Sequence, residues 1–139
     1  MREIEFRGQT NSGNWIKGSL VYSKNIQPAI YFEVGEGSVK KLDWVCVNSE
    51  TIGQYIGKKD IKDTPIYEGD IFKFKCMEEL NKSIELIGSF CWNDQDLCYE
   101  IDIYSPEHPE YVCLNYIDNG QMYDFEIIGN KIDNPDLLK

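Results

Sequence analysis

TIGQYIGKKDIKDTPIYEGDIFKFK, residues 51–75, is the most specific stretch of this 139-residue chain. Its middle is rich in Gly, Lys and Asp, and it passes through residues 67–70, YEGD, into a run in which apolar residues alternate with Lys. A Gly followed by Asp is typical of a tight turn, since Gly adopts a positive φ freely and Asp accepts hydrogen bonds from nearby amides. The alternation that follows predicts a half-buried strand. The stretch therefore predicts a turn that leads into a sheet.

The same two-residue period runs through most of the chain. It predicts one hairpin over residues 3–22 and a second over residues 29–47, which turns at residues 35–37, GEG. Later strands and a short final helix that starts at Asn134 complete the pattern. The later strands are predicted over residues 71–75, 84–92, 97–104, 111–117 and 123–132. Short antiparallel strands without a long helix predict an all-β or β-rich fold with minor α content. In this fold, N-terminal β hairpins pack on a small C-terminal SH3-like barrel or meander.

The length of the chain suits a single domain, residues 1–139, or two lobes within it. In the two-lobe arrangement, residues 1–50 form an N-terminal β lobe and residues 66–139 form a C-terminal β-barrel lobe. Residues 51–65 then connect the lobes. Residues 76–83, between two strands, fit either one helical turn or a long hairpin loop.

Several single positions carry further expectations. Gly88, in the middle of its strand, predicts a bulge or bend. Leu97 is expected to share the apolar face of the strand that begins there, and residues 118–120, DNG, predict a tight turn. The three tryptophans are expected to fill the core rather than to contact a ligand. They are Trp15, Trp44 and Trp92.

Charge and hydropathy limit the kinds of partner. Apolar residues make up 42% of the chain, enough for a core, and acidic residues spread along it give a formal net charge of −10. This charge opposes approach to a phosphate backbone and favours a basic protein partner. No apolar run reaches the roughly 18 residues of a membrane span, and the charged start, MREIEFRG, does not resemble a signal peptide. We therefore expect a cytoplasmic protein without membrane contact.

The cysteines and the histidine do not form the pattern of a reactive site. The cysteines are odd in number, lack a C-x-x-C spacing and lie in or beside apolar runs, so reduced thiols are expected. His108 lies between two prolines, and no residue is evident that would orient it toward a cysteine nucleophile. The five cysteines are Cys46, Cys76, Cys91, Cys98 and Cys113. We expect no metal, no cofactor and no enzymatic activity.

The opening stretch, read with both ends of the chain, resembles the YopX family of phage and prophage proteins. Two departures keep turn chemistry or an apolar strand position: Ile56 replaces the usual Thr, and residues 62–65 replace an Asn-Gly-type turn. The matching segments are residues 2–8, 14–15, 18–20, 50–60, 66–71, 126–130 and 134–138. The resemblance implies a small β-barrel architecture, a phage or prophage origin and hence a location in the host bacterial cytoplasm. It implies no established enzymatic activity.

The opening stretch also supplies the candidate interaction surface. It holds the local concentration of lysines, and its tyrosines Tyr55 and Tyr67 are close enough in sequence to stack on bases. Interleaved acidic residues cancel most of the positive charge. The surface comprises Gln54, Tyr55, Lys58, Lys59, Asp60, Tyr67, Glu68, Asp70 and Lys73.

Three functions follow as hypotheses. The leading one is a non-enzymatic accessory module that binds a host or phage protein, with an acidic surface meeting a basic one. That acidic surface comprises Asp94, Asp96, Glu100, Asp102, Glu107 and Glu110. The alternative is a nucleic-acid-binding accessory protein that uses residues 54–75. A hydrolase acting through carboxylates is the third, and it needs convergent carboxylates in a concave pocket. An exposed strand edge also allows a homo-oligomer.

Overall fold

The computed structural model describes residues 1–78, 81–116 and 120–139. Backbone contacts divide the chain into two compact units, Met1–Gly57 and Lys58–Lys139. Short 3-10 helices lie at Ser49–Thr51 and Pro135–Leu138. The strands are β1 Phe6–Gln9, β2 Trp15–Ser23, β3 Ile26–Val34, β4 Lys41–Cys46, β5 Gly53–Lys59, β6 Pro65–Tyr67, β7 Asp70–Met77, β8 Ser83–Asn93, β9 Cys98–Ile103, β10 Cys113–Asn115 and β11 Met122–Asn130. The β-rich class with minor helix is therefore confirmed. Within the described residues, no helix has the length and apolar character that a membrane crossing needs.

The first unit is an antiparallel sheet in the order β4-β3-β2-β1-β5. Both predicted hairpins are confirmed, since β1 pairs with β2 and β3 pairs with β4. Ile30 and Val47 are fully buried in its core. Thr51 fixes the 3-10 helix to β1, because its Oγ1 accepts the Gln9 amide hydrogen at 2.8 Å and donates to the Asn48 carbonyl at 2.7 Å. Strand β5 runs across the division between the units.

The second unit is built around a meander in the order β10-β9-β8-β7-β11. Alternation places one side chain in two on the buried face, and the core is a cluster of phenylalanine rings. Phe72 and Phe90 lie 4.8 Å apart, and Phe74 stacks on Phe125 at 5.2 Å. These rings come from three strands, so they join the meander across its face as well as along its backbone ladders.

The sequence predicts either a small closed barrel or a meander for the C-terminal strands. The described strands do not close into a barrel, and they form the meander instead. Strands β10 and β11 are its two edges. The loop between β5 and β6, residues 60–64, lies along the β11 edge instead, because the Phe125 carbonyl accepts the Ile61 amide hydrogen at 2.8 Å. Tyr116, just after β10, reaches Phe125 only through its side chain, with the ring centroids 6.1 Å apart. The sheet is therefore curled but open.

Three expectations about single residues are wrong. Gly88 makes no bulge, because its pairing with β7 and β9 is continuous; a Cβ there would lie 2.5 Å from Ile101 Cγ2, so the glycine makes room for its neighbour. Leu97 precedes β9 and is 72% exposed. Two of the tryptophans expected in the core, Trp44 and Trp92, are about half exposed, at 55% and 45%.

The remaining local expectations had mixed outcomes. The final helix is present at Pro135–Leu138, although Asn134 makes no side-chain capping bond to it. The Asn134 Oδ1 accepts the Asn130 amide hydrogen at 3.2 Å instead. The central residues of segment 76–83 and the first two of turn 118–120 lie outside the described residues.

Candidate functional site

The turn at residues 67–70 is built as its sequence predicts. Gly69 has a φ of 84°, which a side chain would make costly, and the Asp70 carboxylate accepts the Tyr67 amide hydrogen at 2.8 Å. Asp70 is only 2% exposed, and the Gly69 carbonyl accepts the Lys131 amide hydrogen at 2.9 Å. The turn is thus bonded to the rest of its unit through its backbone, and the prediction of a tight turn is confirmed.

Asp60 is the second acidic residue of the candidate surface that the fold buries. Its Oδ1 accepts the amide hydrogens of Lys62 and Thr64, both at 2.9 Å, and its Oδ2 accepts that of Ile127 at 3.2 Å. Burial alone would raise the pKa of this carboxyl, but the three amides and the Lys62 ammonium outweigh it and lower the pKa below 3.8. Asp60 therefore holds its own loop on β11 as a carboxylate.

The lysines of the opening stretch have acidic or aromatic partners within the second unit. Glu126 receives two of them, Lys62 and Lys73, each at 3.2 Å. The Lys58 ammonium lies 5.2 Å from the centre of the Phe125 ring. The other two ion pairs are Lys59 with Asp63 at 3.4 Å and Lys75 with Asp124 at 3.1 Å. This arrangement leaves a mixed surface rather than a positive groove.

Several of the predicted surface residues are buried within their own units. Gln54 and Tyr55 belong to the first unit and the other seven to the second. Tyr55 is 7% exposed and Tyr67 is 1% exposed, so neither ring offers a face on which a base could stack. Glu68 is half-buried in the turn. The accessible part of the candidate surface includes Lys58, Lys59 and Lys73. That these lysines contact a partner stays a prediction.

Two cavities of the described residues lie near parts of this stretch. One, of about 290 Å³, is lined in the second unit by residues 58–61, Gly120 and residues 122–125. The other, of about 640 Å³, is lined in the first unit by residues 22–28 and 47–51. Neither lining contains a histidine or a cysteine, so neither holds a nucleophile–base pair of that kind.

Two of the thiols, those of Cys91 and Cys113, are poorly activated as nucleophiles. Burial, followed by the charge of Asp102, raises the pKa of Cys91 to about 11. Loss of solvent and a hydrogen bond to Glu100 raise the pKa of Cys113 to about 12. His108 is joined through Nδ1 to Glu110 at 3.3 Å. Thiols that stay protonated at neutral pH react slowly. No cluster of three metal-ligating side chains occurs among the described residues.

The net charge of the chain belongs to one unit. Of the 14 basic and 24 acidic residues, the first unit holds six basic and six acidic ones, and the second holds eight basic and eighteen acidic ones. The first unit is therefore formally neutral and the second carries the whole charge of −10. Any electrostatic attraction of the chain for positive charge therefore arises from the second unit.

Within the second unit, the β8–β9 hairpin displays apolar side chains among acidic ones. We name residues 92–99 the acidic tip. The Asn93 side-chain oxygen accepts the amide hydrogens of Gln95 at 2.8 Å and Asp96 at 3.1 Å, which gives the loop a fixed shape. Leu97 follows with a φ of 52° and is 72% exposed. Trp92 packs edge-on against Tyr99 at 5.2 Å and keeps 45% of its surface exposed.

The sequence reasoning included the acidic residues of this tip and missed its apolar ones. Alternation assigns Leu97 to the strand, because it lies two positions before Tyr99. In the structure Asn93 pairs with Cys98, which leaves residues 94–97 as a four-residue loop. The signal available in the sequence was the polar run NDQD at residues 93–96, which is typical of a turn. A leucine at the end of such a loop occupies the position that Gly or Asn normally fills.

Comparison with known proteins agrees with this β-rich architecture. No curated protein matches the chain. A solved structure, protein EF1440 from Enterococcus faecalis, is similar to it with a TM-score of 0.53 and 15% sequence identity, over 100% of both chains. That likeness concerns the fold alone. The family model described as YopX protein matches residues 5–139, nearly the whole chain. This chain therefore belongs to the YopX family.

Proposed function

We propose that this protein is a non-enzymatic accessory module of phage or prophage origin that binds a host or phage protein. Its binding surface is the acidic tip, and its partner presents a basic segment with an apolar side chain. The observation that carries this proposal is Leu97, an exposed leucine held at a positive φ in an acidic loop.

Leu97 is costly to the folded state. A residue with a Cβ in the left-handed region costs roughly 1–2 kcal/mol. Because Leu97 is 72% exposed, burial of its side chain within the fold offsets little of that cost. Strained positions that the fold does not need occur preferentially at binding sites, where the strain fixes a side chain for contact. The Asn93 hydrogen bonds hold the loop in this conformation without a partner.

A partner recovers that cost through burial. Covering an exposed leucine or a comparable apolar side chain contributes roughly 1.5–3 kcal/mol, and Trp92 beside it offers a large half-exposed ring. Aromatic side chains at the centre of an interface dominate its energetics. Leu97 and Trp92 thus supply affinity, and the carboxylates around them select for positive charge.

The charge of the second unit supports a basic partner over a nucleic acid. Its eighteen acidic residues against eight basic ones repel phosphates at long range. At short range, the lysines of the opening stretch are joined to Asp63, Asp124 and Glu126. Nucleic-acid binding would have to break these pairs, because it requires free cations to displace counterions.

Affinity capture with the tagged protein from bacterial lysate tests the proposal. Three baits are compared: the wild type, Leu97→Asn and Val39→Asn. Val39 is the matched control, since it is also an exposed apolar residue, at 79%, and lies in the first unit. We expect the wild type and Val39→Asn to capture the same protein, and Leu97→Asn to capture at least tenfold less of it. Raising the salt from about 0.1 M to about 1 M, which shortens the Debye length from about 10 Å to about 3 Å, should release the captured protein.

Two outcomes would count against the proposal. Equal capture by all three baits means that the acidic tip makes no contact. Capture that disappears with nuclease assigns binding to nucleic acid, and charge reversal of Lys58, Lys59 and Lys73 then tests the alternative surface directly.

A further inference from the structure

The edge strand of the first unit carries a second interaction surface. Strand β4 is the end of its sheet, with β3 on one side. Four of its six residues, 41–44, are exposed, among them Leu42 at 69% and Trp44 at 55%. Proteins usually blunt such an edge with charged side chains, a proline, a bulge or a covering segment, because its free amides and carbonyls can pair with another strand. Of these devices, β4 has the charged side chains of Lys41 and Asp43. The β3–β4 register is continuous over all six pairs and has no bulge.

The two faces of β4 differ in chemistry. Trp44 lies opposite Tyr31 of β3, and their rings stack at 6.2 Å with an interplanar angle of 25°. Leu42 and Trp44 therefore share one face, since side chains two apart point the same way. Lys41 and Asp43 share the other face. An apolar face opposite a charged face is the pattern of a strand with one face covered, and Leu42 and Trp44 leave that face exposed here.

The backbone of β4 is oriented for such pairing. The Trp44 amide hydrogen is bonded by the Asp43 side chain, whose Oδ1 lies 2.8 Å from the Trp44 nitrogen. This amide points away from β3, and because orientations alternate along a strand, the amide and carbonyl of Leu42 point the same way. Leu42 is then placed to exchange two backbone hydrogen bonds with a residue opposite it.

We propose that β4 pairs antiparallel with β4 of a second copy of this chain, across a two-fold axis at Leu42. In this register Leu42 faces its own symmetry mate as a hydrogen-bonded pair. Lys41 of each copy then faces Asp43 of the other, in non-hydrogen-bonded positions where side chains are closest. Asp43 exchanges its bond to the Trp44 amide for one to the ammonium of Lys41 in the second copy.

Neighbouring registers lack this complementarity. An axis at Asp43 sets the two Asp43 carboxylates against each other, which destabilises a pair. An axis at Trp44 places Asp43 opposite Val45 and leaves both Lys41 side chains without an acidic partner in the facing strand. The first unit is formally neutral, so net charge repulsion between the first units of two copies does not oppose the pairing. The partner that β4 fits is thus another β4.

Sedimentation velocity over a range of protein concentrations, at about 0.15 M salt where the Debye length is about 8 Å, tests the proposal. We expect a reversible dimer for the wild type. Lys41→Asp and Asp43→Lys each replace two attractive pairs with two repulsive ones, and each weakens the dimer about tenfold or more. The double variant Lys41→Asp/Asp43→Lys restores complementary pairs and returns the dimer to near wild-type affinity.

The control is Lys24→Asp, which changes the charge of the first unit equally at an exposed residue outside β4. It leaves the dimer unchanged. A wild type that stays monomeric at all concentrations overturns the proposal, as does a dimer that the single reversals do not weaken or the double variant does not restore. Circular dichroism of each variant separates a lost interface from a lost fold. The acidic tip lies in the other unit, so failure here leaves the proposed function untouched.

Discussion

Asp60 and Ile127 lie 67 positions apart in the chain and are joined by a hydrogen bond of 3.2 Å from the Ile127 amide to the Asp60 carboxylate. Strand β11 has register shifts on either side of this region, between Tyr123 and Glu126 and between Ile127 and Gly129. The shifts free backbone groups that Asp60 and Ile61 then satisfy. One buried carboxylate thus covers the open edge of the meander and fixes the loop that leads to β6.

Removing the Asp60 side chain is expected to destabilise the second unit strongly. Asp60→Ala leaves three amide groups without their acceptor, which costs about 2–3 kcal/mol of unfolding free energy. Asp136→Ala is the control, because Asp136 is 88% exposed and its ion pair with Lys139 contributes little. Urea unfolding of both variants and the wild type measures the difference. Equal midpoints would show that the Asp60 bonds are dispensable.

The stabilisation from Asp60 should depend on pH. Its pKa is lowered in the folded state from 3.8, so its contribution is complete above 3.8 and is lost as the pH falls through the folded value. Asp60→Asn removes the titrating group. We expect the stability difference between wild type and Asp60→Asn to be constant between about pH 5 and 7 and to shrink below 3.8. A difference that grows on acidification has the wrong sign for this mechanism.

Two serines of the second unit should respond oppositely to replacement by alanine. Ser89 is fully buried, and its hydroxyl has no hydrogen-bond partner among the described residues. Ser105 Oγ accepts the Ile87 amide hydrogen at 2.7 Å. We expect Ser89→Ala to be neutral or to stabilise by up to about 1 kcal/mol, and Ser105→Ala to destabilise by about 1 kcal/mol. Thermal unfolding of the pair checks this, and a loss of stability in Ser89→Ala would reveal an unrecognised bond.

Leu97→Asn is expected to make the folded protein more stable. Asn tolerates the left-handed region better than leucine, so relief of strain is worth about 0.5–1 kcal/mol. Val39→Asn, at an exposed residue of the first unit, stays within about 0.5 kcal/mol of the wild type. Together with the capture experiment, Leu97→Asn would therefore gain stability while it loses its partner. A destabilised Leu97→Asn would instead mean that the leucine packs within the fold.

Local chemistry made much of this molecule predictable from its sequence. The turn at residues 67–70 depends on a glycine and an aspartate three residues or fewer from their partners, and both act as expected. The hairpins of the first unit follow from alternation and from Gly-rich turns in the same way. Such features need only neighbours in the chain, which the sequence displays directly.

Long-range contacts account for what the sequence did not reveal. The bond from Asp60 to Ile127 depends on a register shift in a strand that lies far along the chain. The pairing of the lysines with Glu126 and Asp124 depends on which strands are neighbours, and it turns an apparent basic segment into a mixed one. The sequence predicts a bulge or bend at Gly88, because the Ile101 side chain that requires a glycine there lies on another strand.

The division of charge between the two units also means that salt acts on them differently. The eight basic and eighteen acidic residues of the second unit stand against six of each in the first. Repulsion among like charges therefore opposes the compact state of the second unit and has no net counterpart in the first. Added counterions screen this repulsion, so the folded second unit should gain more from moderate ionic strength than the first.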